Sequence, residues 1–333
     1  MHARRAFLNL IIPLSVFCVQ PTQPLVSTTM SDPSIAYTVP DKAYVLLRRG
    51  NIEALVVDNS SVHDEMLPNH DAGYSGVASL RHTAQPENLF LPSVGGLNFE
   101  FIHDGTSQEF PVSFEPRRAA MQLRRIVEHT VELYQAPTPH WGLESIHRFH
   151  VLPDGTIEMT FECIPHRRVF QYGYIGLFWA NYIHRPESLD IHFLGYPVGS
   201  DGTPRWIQAS SPAHGKLSTH VAGSDERTFR YDPDFRIPLI TDLSTYRYSE
   251  PWYYGVSHGM VYVLMFRDRD KIRITQSPSG GAPGSPAWDF QFFIPDYQVG
   301  RRYQMVMRAM YVPFESADQV RRISEPHRRA LNP

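Results

Sequence analysis

Cysteine is nearly absent. Cys18 and Cys163 are the only two in 333 residues, and a chain that retains just one of them has no disulfide framework. Cys163 alternates with Ile157, Met159 and Phe161, as a small core residue on a strand does. A basic balance is missing too. Lys and Arg number 31 against 34 Asp and Glu, a formal net charge of −3, which argues against nucleic acid as a partner. The local cluster Arg117, Arg118, Arg124 and Arg125 sits among acids and apolar residues and reads as a paired or solvated face. No long amphipathic helical pattern occurs. "PSGGAPGSP" lacks the Lys and the strand-to-helix context of a phosphate cradle, and no Gly-x-Ser-x-Gly nucleophile elbow is present.

Long apolar runs are also few. At the N-terminus, "MHARRAFLNLIIPLSVFCVQ" places Arg4 and Arg5 before a stretch of signal-peptide length. Asn9 and Pro13 interrupt it, and it is short for a membrane span. "PTQPLVSTT" offers no small-x-small cleavage site, and bulky Val16 and Phe17 before Cys18 argue against a lipoprotein. Met30 opens an ordinary cytoplasmic start, "MSDPSIAYTVP". Two readings stay open: a secreted or periplasmic protein if translation starts at Met1, a cytoplasmic one if it starts at Met30. In both, residues 1–35 lie outside the fold, residues 36–315 form a single β-sandwich domain, and residues 316–333 form a C-terminal tail with a short surface helix.

What is present points to β-structure. Hydrophobic residues at 42% and charged residues at 20% are ordinary for a globular domain. Short alternating or apolar runs recur with turn residues between them: "NIEALVVD", "YSGVASLRH", "LNFEFIHDG", "YGYIGLFWANYI", "SLDIHFLG", "GMVYVLMFRD", "AWDFQFFIP" and "RRYQMVMRAMYVPF". "MQLRRIVEHTVELY" fits a helical stripe and a strand period; the β-branched "HTVELY" favours strands. Irregular loops are expected over 59–72, 104–117, 197–236 and 276–287. The fold class is therefore all-β, a large antiparallel two-sheet sandwich with few short helices.

The stretch "WGLESIHRFHVLPDGTIEMTFECIPHRR" can be registered residue by residue. A three-residue loop of Pro153, Asp154 and Gly155 puts Gly155 in the left-handed region. Val151 then faces Ile157, Phe149 faces Met159 and His147 faces Phe161. On the other face His150 meets Glu158, Arg148 meets Thr160 and Ile146 meets Glu162. A two-residue loop would mix the faces, because a slip of one position flips every side chain. One face of this hairpin is thus ionisable by design of the pattern, either wet or the floor of a site.

Candidate functional residues follow from such faces and from the loops. Glu162 is a carboxylate placed for acid–base work, with Arg148 able to hold a substrate hydroxyl or carboxylate; the plain alternative is cross-strand charge pairing. Asn98 and Glu100 share a face of "GLNFEF", with His103 following, although no metal-ligand spacing is clear. Glu115 and Arg117 in "FEPRRAAM" read either as a loop ion pair or as a clamp for an acidic sugar. His214, among the Ser, Gly and Thr of "SSPAHGKLSTH", is a candidate proton shuttle. Tyr254 and His258 in "EPWYYGVSHGMVY", with Trp288 and Asp289, could form an aromatic wall and a polar anchor; the alternative is that the aromatics are core.

"SLDIHFLG", "PSGGAPGSPAWDFQFFIPDY" and "GRRYQMVMRAMYVPF", with "GYSGVASLRH" and "GLNFEFIHDGT" upstream, resemble a group of uncharacterised bacterial proteins over roughly residues 40–315. That group looks like the galactose-mutarotase-type β-sandwich of aldose epimerases and of domains in polysaccharide lyases and glycosidases. The resemblance implies a concave polar sheet face that holds a sugar. Aldose epimerases carry an Asn-His pair, a second His and a late Glu base. Here Asn69-His70 falls in a loop and Glu315 lies beyond the last strand, so a true mutarotase is disfavoured. The implied function is a carbohydrate epimerase, lyase or glycoside hydrolase working by acid–base catalysis, without cofactor or metal, on a carbohydrate partner. Glu162, His214 and Arg148 are the expected catalytic group; Arg117, Glu100, Glu144, His192, Tyr254, His258, Trp288 and Asp289 are the expected substrate contacts. A non-catalytic carbohydrate-binding protein is the alternative, and a jelly-roll metalloprotein a third reading.

Overall fold

A computed structural model describes residue 30 and residues 32–333; the leader-like stretch with Arg4, Arg5 and Cys18 lies outside the described residues. The chain is almost entirely strand. β1 (Tyr44–Arg49), β2 (Ile52–Val57) and β3 (Gly76–His82) form a small antiparallel sheet. The rest of the strands are β4 (Asn98–His103), β5 (Met121–Val127), β6 (Thr130–Gln135), β7 (Leu143–Val151), β8 (Ile157–Pro165), β9 (Ile175–Ala180), β10 (Ile191–Pro197), β11 (Arg205–Ala209), β12 (Thr219–Ala222), β13 (Leu243–Tyr248), β14 (Trp252–Ser257), β15 (Met260–Phe266), β16 (Arg273–Ala282), β17 (Ser285–Ile294) and β18 (Tyr303–Pro313). They make one 15-stranded sheet in the order β4-β9-β17-β16-β12-β13-β10-β14-β15-β18-β8-β7-β6-β5, with β11 paired to β10. Pairing is antiparallel except between β12 and β13.

So long a sheet cannot stay open and flat, because strand twist accumulates. It folds back on itself. Phe99 on β4 meets Phe161 on β8 at 5.6 Å, and Phe290 on β17 meets Phe266 on β15 at 4.9 Å between ring centroids. The Tyr253 hydroxyl of β14 donates to the carbonyls of Trp288 and Asp289 on β17. The end β4-β9-β17-β16 thus forms one layer and the run β14-β15-β18-β8-β7 faces it as the second. Trp179, Trp288, Phe149, Met159 and Phe161 fill the space between and are fully buried.

The hairpin registers as its pattern requires: Val151 opposite Ile157, His147 opposite Phe161, Arg148 opposite Thr160, Ile146 opposite Glu162. Gly155 sits at φ +89°, and the amide of Leu152 donates to the carbonyl of Thr156, closing the three-residue loop. "MQLRRIVEHTVELY" is two strands, β5 and β6. The loop expectations fare less well. The 197–236 stretch contains β11 and β12, and 276–287 is mostly the β16–β17 hairpin, turning at Pro283-Gly284. Its Gly and Pro content marks a register shift between Ser277 and Ala282, where pairing is interrupted but the strands continue.

Three one-turn helices, α1 (Phe110–Ser113), α2 (Glu115–Arg118) and α3 (Pro238–Thr241), lie in connections. The long helix α4 (Ala317–Leu331) begins at Ser316, whose side chain accepts the amide of Gln319. It lays Val320 and Leu331 on Leu194, Val261, Val263 and Met265, on the outer side of the second layer. Among the described residues no helix is long and apolar enough to cross a membrane.

Under α4 lies a buried charge cluster. Arg308 donates through Nε to Glu158 at 2.9 Å and through Nη1 toward His327 Nδ1 at 3.2 Å, and His327 Nε2 lies 3.0 Å from Asp154. Burial raises the Glu158 carboxyl, opposed by the Arg308 charge. Removing one member leaves the other charged and dry, which costs roughly 3–5 kcal/mol, whereas apolar replacement of both is close to neutral. Arg308→Met is therefore expected to destabilise by about that amount in urea denaturation, and Glu158→Leu/Arg308→Met to recover most of it. A single variant as stable as wild type would remove this role from the pair.

Candidate active site

The inner face of each layer is spent on the core, so any site must lie on an outer face. The outer face of β4, β9, β17 and β16 carries one. β4 is interrupted between Phe99 and Phe101: Phe99 opposes Trp179, but Phe101 opposes Phe178. This bulge places Glu100 at the start of the outward run, next to Phe101, and bulges commonly re-aim a side chain in this way. On β17, Trp288, Phe290 and Phe292 face the core and Asp289 faces out, opposite Thr275 of β16. Strand β9 lies between, so Glu100 and Asp289 project from strands two apart, roughly 10 Å between backbones.

Above them sits a cavity of about 320 Å³, at the lower end of the range for small-molecule sites. Glu100, Asp289, Tyr182 and Ser277 line its floor. The walls are Phe101, Phe110 and Phe114 from one side, and Phe235, Ile237 and Leu239 from the other. His214 stands at the mouth, exposed, with Nδ1 3.0 Å from the Ser277 hydroxyl. Gly215 makes that position possible: its φ is +70°, and a side chain there would meet the Pro238 ring at 2.6 Å.

The electrostatics of the two acids differ. Glu100 is 4% exposed and accepts from the Tyr182 hydroxyl at 2.8 Å and from Arg117 at 3.2 Å. Arg117 in turn lies 3.8 Å over the Tyr74 ring. Burial raises the Glu100 carboxyl, while Arg117 and Tyr182 pull it back. Asp289 is 1% exposed, and its Oδ1 accepts the backbone amide of Asn181 at 2.8 Å. Burial drives its proton affinity far above the usual carboxylate range, the Glu100 charge adds to this, and only the Asn181 amide opposes it. Burial thus raises both carboxyls, and Asp289, with no base beside it, is raised further than Glu100, which has Arg117.

Of the residues expected from sequence, the fold gathers Glu100, Asp289, His214 and Arg117 at this cavity, Arg117 through its pairing with Glu100. Glu162 and Arg148 are elsewhere, on the outer face of the opposite layer, and this corrects the expectation that they share a floor with Asp289. Arg148 pairs with buried Glu132 at 2.9 Å, and Glu162 accepts from Gln304 at 3.0 Å. Glu144 is held by Tyr134 and His166 at 3.0 and 2.7 Å. His192 stacks on Tyr254 at 4.9 Å, away from the cavity lining. His258, at φ +54° in the β14–β15 turn, donates its amide to Glu187. Trp288 is core, its indole packed where Gly255 lacks a side chain. Glu115 is not Arg117's partner; it accepts the amides of His140 and Trp141. His103 is buried among Tyr174, Tyr231, Phe235 and Phe293, and burial lowers it to about 3. Among the described residues no group of three or more His, Cys, Asp or Glu is placed to hold a metal ion.

Two lining residues carried no sequence signal. Tyr182 follows β9 in a run apolar enough to read as core. Phe110 is 73% exposed and stacks 4.3 Å from Phe114, which lies 4.2 Å from Phe101. An exposed aromatic at a cavity rim was legible only as one Phe in a loop.

No family model matches the chain, and no curated protein matches it. Solved structures do. A galactose 1-epimerase from Lactobacillus acidophilus is similar at 8% identity over 84% of this chain and 99% of its own, with a TM-score of 0.45. An α-N-acetylgalactosaminidase from Bifidobacterium bifidum is similar at 10% identity over 85% of this chain, TM-score 0.47, and a heparan sulfate lyase from Pedobacter heparinus at 9% over 84%, TM-score 0.40. The chain spans about two fifths of the length of those two, 39% and 38%. At these identities no site residue is carried across.

The raised carboxyls have a consequence for stability. Where folding raises an acid's proton affinity, the native state holds more protons than the unfolded chain, and stability falls as pH rises above the unfolded value, 3.8 for Asp289. Asp289→Asn keeps an acceptor for the Asn181 amide and removes that loss. It is expected to be more stable than wild type at pH 8, on the order of 1 kcal/mol or more, with the difference shrinking toward pH 4. Thermal melts across this range check it; a variant that melts lower than wild type at pH 8 contradicts a buried, destabilising Asp289.

Proposed function

We propose that the protein is a carbohydrate-active enzyme whose acid–base pair is Asp289 and Glu100. The observation that carries this is the two buried carboxyls on one outer sheet face, one with an arginine partner and one without, in a cavity rimmed by aromatic rings. Aromatic faces stack on sugar C–H groups, and carboxyls bind hydroxyls and exchange protons with them. Phe110 and Phe114 offer such a face at the mouth.

Asp289, protonated, donates to an oxygen on which negative charge develops. Glu100, its charge held by Arg117, accepts a proton from a hydroxyl, a water or an acidified carbon. Tyr182, hydrogen-bonded to Glu100, orients it and excludes water from one side. His214 at the mouth relays protons to solvent. Ring-opening epimerisation, glycosidic hydrolysis and β-elimination all begin with this pair of transfers, and the separation of the two carboxyls relative to the bound sugar selects among them.

The test is a panel of mono- and oligosaccharides followed by anomer exchange, new reducing ends and the ultraviolet absorbance of unsaturated uronates. Turnover is expected, with Asp289→Asn and Glu100→Gln each lowering kcat by about 10²–10⁴-fold. Saturable sugar binding without turnover, unchanged in both variants, would instead favour the non-catalytic binding protein. Phe110→Ala is expected to raise KM about five- to tenfold with kcat little changed, since stacking is worth roughly 0.5–1.5 kcal/mol; a change confined to kcat would place Phe110 outside substrate contact.

A further inference from the structure

A second cavity, of about 280 Å³, opens farther along the same outer face, where Arg227, Arg247, Arg273, Phe229 and Tyr231 line it together with the acids Asp225 and Glu226. Arg273 is on β16, four residues before Ser277 of the acid site, so the two positions are about 13 Å apart along one strand. The Phe229 to Leu239 segment crosses between them, lending Phe229 to one cavity and Phe235 to the other.

Three arginines meet two acids here, of which Glu226 is exposed. Asp225 is taken by Arg227, which grips it with Nε at 2.7 Å and Nη2 at 3.0 Å. Arg227 also donates to the carbonyls of Lys271 and Phe293. Arg273 is 5% exposed yet has no carboxylate partner among the described residues. Its Nη2 reaches the Arg227 carbonyl at 3.4 Å, the nearby Tyr231 hydroxyl and Asp225 charge favour its proton, and its Nε is buried without an acceptor. The guanidinium rests between ring faces, 4.9 Å from Phe229 and 4.7 Å from Phe293. Cation–π contact supports the charge and leaves the in-plane Nε donor unused. Arg247, partly exposed at the rim, also has no carboxylate partner among the described residues. A guanidinium does not shed its proton to escape burial, and its unused Nε donor is suited to an oxygen of an anion.

We propose that this cavity is an oxyanion-binding site in which Arg273 supplies a buried, preorganised fork and Arg247 a second donor from the rim. Its ligands are planar or tetrahedral oxyanions small enough for the space: inorganic phosphate or sulfate, or the carboxylate of a uronic acid. The site stands apart from the acid pair and does not depend on the catalytic reading.

Isothermal titration of the full chain with inorganic phosphate, with glucuronate and with glucose as the neutral control tests this. Saturable binding of at least one anion, and none of glucose, is expected. Phosphate alone would identify a free inorganic anion as the ligand, and glucuronate alone an acidic sugar; both outcomes support the site. Arg247→Gln is expected to weaken binding about tenfold, the loss of one charge-assisted hydrogen bond, and Arg273→Met to abolish it. If Arg273→Met fails to fold, Arg247→Gln carries the test. Asp289→Asn should bind the anion as wild type does, so failure of the acid pair and failure of this site are read separately. Absence of saturable anion binding by the wild type, or undiminished affinity in Arg247→Gln, overturns the proposal.

Discussion

A carboxyl group withdrawn from water must give up its charge or be given a partner. The outer face of the first layer turns on that constraint. Glu100 is given Arg117 and Tyr182, which pull its raised carboxyl back; Asp289 is given one backbone amide beside the Glu100 carboxyl and is raised further. Everything that places these two groups is structural. The β4 bulge moves Glu100 out of the core-facing rhythm, Trp288 and Phe290 anchor β17 so that Asp289 has only one direction to face, and the 229–241 segment with the short helices around Phe114 seals the space above.

The opposite layer meets the same constraint differently. Its outer face is equally rich in ionisable groups, but each acid there is matched by a base: Arg148 with Glu132, Arg308 with Glu158, Arg267 with Asp270. Matched charges hold shape and leave little reactivity to spare. Among the described residues, the acid Asp289 has no base beside it and Arg273 keeps a buried Nε without an acceptor, and both sit on the first layer, which is why chemistry and recognition are assigned to that side.

Much of the fold was legible because period-two alternation is a strong signal. The 141–168 hairpin was registered correctly from its pattern and from the one glycine able to close the loop. β16 was hidden because "QSPSGGAPGSP" has the composition of a loop, although its glycines allow close approach: a side chain at Gly280 would strike Ala287. The site was half legible. Alternation tells which residues share a face of a strand, and it separated Asp289 from Trp288 correctly. It cannot tell which layer of a sandwich a strand joins. Glu162 and Asp289 both point away from the core, and only the fold-back of the sheet sends them to opposite sides. Arg117's partner was also out of reach, since a bulge and 17 residues separate it from Glu100.

The position of α4 bears on how the molecule is made. The helix follows β18 in the chain, yet it is the cover for Leu194, Val261, Val263 and Met265, residues laid down some fifty to one hundred and forty positions earlier. During synthesis those side chains have no lid until residues 317–331 have emerged. A nascent sandwich with a bare apolar flank is prone to aggregate, so that flank is closed only once α4 has been made.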